Sequence, residues 1–392
     1  MNLKIIDYKK ERDKELLDLF YKSVFYKRKE FEYARIPNKW ITRYELQGES
    51  IQKIAIKGNK AIASLGGIIF TGNIGSGKQE KICYFVDNCI LPEYHAEFNE
   101  IFGLLFDELE KDAKKKGAKA IYGWDYETNL EKNPLFFKEK KFKTIKGFCW
   151  YPAGGGDLNW TYPIRPTKKI SLIWKILMKA MELNQAIKKR MLKSLPANII
   201  IEKIKPKDLK AVCEIINKKS PMLFAPKYSE HSMKEMFKNK NFHGIIAREN
   251  EKICCILLYF VGAWAGWMFG KPGYEKKWTP FFVYTPFEFE VQKRFEEIVP
   301  AHMIFELMKI RDPEKNIKHD KSFTFFVDAF DERIKWRENA AFTTGCEKVK
   351  YDFGAMLIKP LYEDINLENY KTIFFPTLFT IAPVPKAAEI KI

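Results

Sequence analysis

Residues Gln79–Trp124 read QEKICYFVDNCILPEYHAEFNEIFGLLFDELEKDAKKKGAKAIYGW. The opening Gln79–Leu91, with Ile82, Tyr84, Phe85, Val86 and Ile90, has the β-branched and aromatic content of a strand. Glu97–Lys116 then places Ile101, Leu104, Leu105 and Leu109 at helical spacing. Gly117 stands where a helix ends in a left-handed residue. Ala118–Trp124 returns to strand character. Strand, helix and strand thus follow one another within 46 residues, so the first half mixes α and β structure.

The flanking sequence extends the pattern. Leu3–Tyr8 reads as a strand, and Glu11–Lys29 as a helix with Leu16, Leu17, Phe20 and Val24 on one face. Ile51–Lys57 and Lys60–Phe70 form a hairpin about Gly58-Asn59. Asn129–Lys140 reads as a short helix and Phe142–Trp150 as a last strand. The second half repeats the order: strand Ile199–Ile204, helix Pro206–Lys218, strands Phe242–Ala247, Lys252–Val261 and Phe281–Tyr284. Helix Glu288–Lys309, strand Phe323–Val327, helix Asp331–Phe342 and strand Val349–Ile358 follow. Two α+β units in tandem account for this layout: an N-terminal domain over 1–150, a linker over 151–198, a C-terminal domain over 199–360 and an extension over 361–392.

Composition narrows the function classes. The chain has 392 residues, 46% hydrophobic and 15% aromatic, which excludes global disorder. Cysteines at 83, 89, 149, 213, 254, 255 and 346 show no CxxC spacing and join no histidine cluster, so no structural metal is expected. The N-terminus has no apolar signal core, and a reducing cytoplasm is the expected location. The uncharged run Ile253–Gly270 reads as buried strands with a turn near Gly262–Gly266, and no transmembrane segment is expected.

Charge is uneven. Lys and Arg exceed Asp and Glu by 68 − 50, or +18. Nine basic residues face Glu182 alone between Pro163 and Leu195, which puts +8 into 33 residues. Glycines 154–156 and prolines 152, 163 and 166 mark this region as a linker. Within it Ile170–Lys193 reads as an amphipathic helix. Lys175, Lys179, Glu182, Lys189 and Lys193 lie on one stripe, and Leu172, Ile176, Ala180, Leu183, Ile187 and Met191 lie opposite. Such a helix packs across a domain junction or meets an acidic partner, with tRNA or an anionic membrane surface as the candidates.

Gly72-Asn73-Ile74-Gly75-Ser76-Gly77-Lys78 fits the glycine and lysine spacing of a P-loop. Gln79 follows where Ser or Thr should bind magnesium, and a strand follows in place of a helix. The segment is a hairpin turn.

Both halves resemble the GNAT acyltransferase superfamily in element order and in the late helix. In that family this helix opens near an Asn and closes in an aromatic-x-x-x-Gly-Phe phrase. Asn129 leads here to Phe136-Phe137-Lys138-Glu139-Lys140-Lys141-Phe142, and the second half offers Trp336–Gly345. The resemblance implies two tandem GNAT-like domains, each a mixed sheet flanked by helices, joined by a basic helical linker. It also implies transfer of an acyl group from acetyl-CoA or another acyl-CoA to an amine on a small molecule or peptide, without a metal. Two alternatives share the fold: a non-catalytic binding protein, and a Fem-like transferase that uses aminoacyl-tRNA.

Several departures from the family bear on function. Its donor loop carries glycines whose N–H groups cradle a pyrophosphate. The segments expected there, Leu91–Phe98 and Thr285–Glu290, have none, and each brings two carboxylates. The family's general-acid tyrosine is replaced by Phe137 in the first half and by Ala341 or Phe342 in the second. Candidate catalytic groups are Asp87 with neighbouring Tyr84 at a strand end, and Asp125 and Glu127 after the next strand. Asn129, Lys293 and Arg294 are candidate donor contacts.

Overall fold

The structure, a computed structural model, describes residues 3–25, 31–32, 49–74, 78–153, 183, 186–219, 223–238, 242–264, 268–269, 281–308, 320–327, 339–340, 343, 354–362 and 382–383. The longer elements, in chain order, are β1 (Leu3–Asp7), α1 (Asp13–Phe25), β2 (Glu49–Lys57), β3 (Lys60–Asn73), β4 (Gln79–Ile90) and α2 (Phe98–Lys115). Then come β5 (Ala120–Tyr126), α3 (Glu127–Lys132), α4 (Pro134–Glu139), β6 (Lys143–Ala153), β7 (Ile199–Lys203) and α5 (Leu209–Lys219). The last are α6 (Glu230–Lys238), β8 (Phe242–Glu249), β9 (Lys252–Trp264), β10 (Phe281–Val291), α7 (Val299–Met308), β11 (Asp320–Val327) and β12 (Gly354–Pro360).

Contacts divide the chain into two compact units. Unit 1 comprises Met1–Cys149, Pro221–Lys227 and Lys350–Phe374, and unit 2 holds the remainder. The sheet of unit 1 runs β1-β2-β3-β4-β5-β12-β6. Its strands pair antiparallel except β4 with β5, which are parallel. Gly58, at φ +61°, opens the two-residue turn between β2 and β3, a place that favours glycine. The core gathers on α2, whose Ile101, Phe102, Leu105, Phe106, Leu109 and Ala113 recur at helical period and are buried. The helix ends as its sequence predicts. Gly117 takes φ +85°, its N–H bonds Lys114 O, and Ala118 N–H bonds Ala113 O.

Helix α4 ends in the same two bonds, Lys141 N–H to Lys138 O and Phe142 N–H to Phe137 O. The left-handed residue here is Lys141, at φ +58°. This is the position the family phrase gives to glycine, so the motif survives with a strained residue in it.

Two distant segments complete unit 1. β12 was expected as the last strand of the C-terminal domain over 199–360; it pairs instead with β5 and β6 of the first unit. A short apolar strand reads the same whichever edge it joins, which is why sequence misassigns it. Phe224, fully buried at φ +67°, packs on Tyr122 with ring centroids 4.3 Å apart and the planes tilted by 33°. Its N–H bonds Asn73 O at 2.6 Å, and Asn73 N–H bonds Ala225 O at 2.9 Å. Asn73 thus belongs to β3, and Ile74 N–H closes onto Lys78 O, as a hairpin connection and not a P-loop.

In unit 2 the strands run β7-β8-β9-β10-β11. β10 and β11 are parallel, and the other pairs are antiparallel. Leu209, Val212 and Ile216 of α5 and Met233 of α6 pack with Ile246, Ile256 and Leu258 of the sheet. The apolar run from Ile253 continues as one strand through Trp264, and the rest of the span Gly262–Gly266, where the turn is expected, lies outside the described residues. Among the described residues no helix is long and apolar enough to cross a membrane. The helix expected over Glu288–Lys309 is also corrected. β10 extends to Val291, a 3-10 turn spans Lys293–Phe295, and α7 begins only at Val299. Glu288, Phe289 and Glu290 alternate with strand period, but the glutamates are buried, so the usual polar-out pattern is absent. The helix expected over Asp331–Phe342 lies outside the described residues, apart from the helical Asn339 and Ala340.

Two stability predictions follow from these contacts. Lys141→Gly should raise stability by about 1 kcal/mol in denaturant unfolding, because glycine takes the left-handed conformation without strain. The second concerns Glu202 of β7, bonded by Lys205 Nζ and Arg248 Nε at 2.7 Å each. Those hydrogen bonds, Lys205 first, hold its carboxyl at about 2 against an ordinary 4.5. A depressed carboxyl stabilises fully above its unfolded value and loses that contribution as pH falls toward the folded one. Thermal midpoints should therefore decline from pH 4.5 toward pH 2, with Glu202→Gln less stable at neutral pH and flatter across that interval.

Candidate active site where two parallel strands part

β4 and β5 run side by side through Ile82↔Ala120, Cys83↔Ile121 and Tyr84↔Tyr122, and the ladder ends there. The next residue of β5 is Gly123. A Cβ at Gly123 would lie 2.4 Å from the Phe85 ring, so only glycine leaves room for that ring to lean across. Phe85 in turn packs edge-on against Phe142 at 6.0 Å. The strands part at this aromatic wedge.

On its other edge β4 is irregular at the same level. Gly66 pairs with Val86 and Ser64 with Cys89, so Asp87 and Asn88 together face Leu65. This is a β-bulge, a feature that re-aims side chains and releases ladder groups. Asp87 takes φ +55° and is 8% exposed. The Ser64 hydroxyl donates to Asp87 O at 3.2 Å and lies 3.0 Å from Cys89 Sγ, which fixes the bulge from β3. A buried, left-handed aspartate at a bulge is the kind of strain that persists where the surroundings over-determine it.

Of the residues singled out from sequence, Tyr84 and Asp87 share β4. Tyr84 is buried, and its ring lies 5.0 Å from that of Tyr122. Asp125 stands three residues beyond Tyr122, as Asp87 stands three beyond Tyr84, so the two backbone positions flank the parting at one level. Glu127 opens α3, and Asn129 lies within it. The side chains of Asp125, Glu127 and Asn129 lie outside the described residues. Lys293 and Arg294 belong to unit 2, in the 3-10 turn ahead of α7. Arg294 pairs with Glu249, and its guanidinium lies 4.6 Å from the Phe295 ring centroid.

The donor-loop segments need one correction. Leu91–Phe98 does connect a strand to a helix, as a 3-10 turn over Pro92–Glu97. Glu93 bonds its own backbone N–H, which chiefly lowers its carboxyl, and pairs with Lys60 at 3.3 Å. Lys57 lies 4.8 Å above the Tyr94 ring, so two lysines offset the acidity of this turn. Thr285–Glu290, in contrast, is the interior of β10 and no loop. The turn that follows it is Gln292–Ile298, which carries the basic pair.

Sequence reasoning missed Gln52 of β2. It is 6% exposed, and neither amide atom finds a hydrogen-bond partner among the described residues. Its Oε1 lies only 2.4 Å from where a Cβ of Gly66 would sit, and Val86 O is 3.3 Å from that point. Glycine at 66 therefore lets a carboxamide lie across β3 toward the bulge. The Gly66-Gly67 doublet inside a strand was the available signal, since such glycines mark bulges and close approaches.

Burial alone raises the Cys83 thiol to about 12, so it is not a nucleophile at neutral pH. Phe137 is buried in α4 and offers no proton. No group of His, Cys, Asp and Glu among the described residues is arranged to hold a metal. What remains is a parting between two parallel strands, with a β-bulge and the buried Asp87 beside it.

Comparison with solved structures matches this architecture to known acyltransferases. Saccharomyces cerevisiae N-myristoyltransferase with bound myristoyl-CoA aligns at 10% identity and TM-score 0.57, over 91% of this chain and 79% of that one. A second structure of that enzyme, with myristoyl-CoA and inhibitors, aligns at 11% identity and TM-score 0.55, over 95% and 87%. A GCN5-related N-acetyltransferase from Kribbella flavida aligns at 9% identity and TM-score 0.48, over 92% and 71%. No protein-family model and no curated protein matches the sequence. The chain has a GNAT-like acyltransferase fold.

One stability prediction concerns Tyr122 itself. Its hydroxyl is fully buried and has no hydrogen-bond partner among the described residues. Burial first, then the neighbouring Tyr84, push its ionisation well above the ordinary range, so it stays a neutral phenol. Tyr122→Phe should stabilise the protein by about 1–2 kcal/mol in denaturant unfolding, because it removes an unsatisfied buried donor and keeps the ring against Phe224.

Proposed function

We propose that the chain is an N-acyltransferase that moves an acyl group from an acyl-CoA thioester to an amine of a small molecule or peptide, with unit 1 binding the donor. The observation that carries this reading is the bulge at Asp87–Asn88 beside the end of the β4–β5 ladder, on a GNAT-like fold. A thioester carbonyl entering the parting would lie along the β4 backbone, where N–H groups can polarise it. Asp87, with Asp125 and Glu127 across the parting, would take a proton from the attacking amine. The C–N bond forms and the C–S bond breaks, and the thiolate of CoA leaves. With Phe137 in the position of the family's acid, the thiolate takes its proton from solvent. Tyr84 acts as a positioning residue, held against Tyr122. Lys57 and Lys60 supply positive charge beside a donor turn that lacks glycine, with Asn129 as a further candidate donor contact; Lys293 and Arg294 are the corresponding candidates for a donor held by unit 2 itself. The neighbour's myristoyl-CoA makes a long acyl chain the first donor to try beside acetyl-CoA.

The test is a thermal midpoint with each ester, followed by turnover of Asp87→Asn. A donor at 100 times its dissociation constant should stabilise by about 2.7 kcal/mol. Asp87→Asn should keep that shift and lower kcat by about a hundredfold. The absence of a shift with either ester would refute donor binding and leave a non-catalytic or tRNA-dependent member of the fold.

A further inference from the structure

Leu183, Ile187 and Met191 are helical and expose 61%, 44% and 77% of their surface. Spaced by four, they fall on one face at helical period. The other large apolar side chains exposed among the described residues, Leu104, Leu135, Ile200 and Tyr362, do not share such a stripe. At about 100° per residue, Lys188 falls on one flank of the stripe and Arg190 on the other. The end of the helix is tied to unit 2. A ring nitrogen of His302 lies 2.9 Å from Lys193 O, and Lys193 Nζ lies 3.8 Å from Glu297.

We propose that this helix docks the protein on an anionic lipid bilayer, with Leu183, Ile187 and Met191 entering the acyl boundary and the lysines and arginine meeting headgroup phosphates. The charge complementarity is the one already noted, nine basic residues against Glu182 between Pro163 and Leu195. The apolar stripe selects lipid over nucleic acid. Aliphatic and thioether side chains neither stack on bases nor hydrogen-bond them, whereas a membrane interface takes such a stripe flanked by basic residues. A second copy of the chain would bring the same positive charges face to face. Basic side chains beside the stripe also suit the interface, because their stems lie along the apolar surface while the charges reach headgroups. The inference is independent of donor chemistry.

The test uses the full chain in co-sedimentation with vesicles of phosphatidylcholine alone and of an equimolar mixture with phosphatidylserine, at low salt. The protein should pellet with the anionic vesicles and stay in solution with the neutral ones, and added salt should weaken the binding. The triple variant Leu183→Asp, Ile187→Asp, Met191→Asp should lose about tenfold or more in partitioning. Lys188→Glu with Arg190→Glu should weaken binding to anionic vesicles specifically. All five positions lie on this helix outside the packed core, so an unchanged thermal midpoint checks that the variants fold. No pelleting with anionic vesicles, or pelleting unaffected by the triple variant, would overturn the proposal. Retention of single-stranded RNA without vesicle binding would overturn it in favour of nucleic acid. Conversion of a dimer to a monomer by the triple variant, again without vesicle binding, would assign the stripe to a second copy.

Discussion

The ladder between β4 and β5 stops after Tyr84 and Tyr122, and the backbone beyond that pair cannot be left bare. Each peptide carries a donor and an acceptor that need partners once water is excluded. The Phe85 ring occupies the space above Gly123, and a Cβ on that residue would close it. Ser64 reaches from β3 to hold the carbonyl of Asp87. The far edge of β5 is paired by β12, drawn from the other end of the chain. Unit 1 is thus built so that two strands separate on one side while both remain paired on their outer edges.

The second unit repeats the scheme with a different outcome. β10 and β11 are also parallel, and β10 is irregular against β9, where Leu258 pairs with Glu288 and Tyr259 with Pro286. The carboxylate that follows this irregularity, Glu288, is 2% exposed. It lies close enough to Tyr228 that the tyrosine hydroxyl is held well above its ordinary range, by burial first and by the Glu288 charge second. Tyr228 is itself fastened by Asn217, which donates to its carbonyl at 2.7 Å and accepts its N–H at 2.9 Å. Where unit 1 sets an aspartate at its bulge beside a parting, unit 2 folds a glutamate into its helix-side core.

Much of this architecture was legible in the residues. The helical spacing of α2 and the glycine after it predicted both the element and its cap, and Gly58-Asn59 predicted the hairpin. Asp87 and Tyr84 could be named because a carboxylate at the end of an apolar strand stands out. Other features were not legible, for definite reasons. The partner of β12 depends on a contact between residues more than two hundred positions apart, which periodicity does not encode. Glu288 and Glu290 disguised a strand as the start of a helix because a buried face carried charge. The loop at Phe224 reads as connection, and only the fold shows it capping Tyr122. Gln52 resembles any polar strand residue until Gly66 beside it is seen to leave room for its carboxamide.

Hydrogen exchange of the whole chain, with and without a saturating long-chain acyl-CoA, would locate the donor. The strand-parting account predicts slowed exchange in the second half of β4, from Tyr84 through Ile90, and in β5 and the 3-10 turn over Pro92–Glu97. The strands β7 and β8 of unit 2 should exchange as before. Protection confined to unit 2, or none at the bulge when the donor is demonstrably bound, would contradict it.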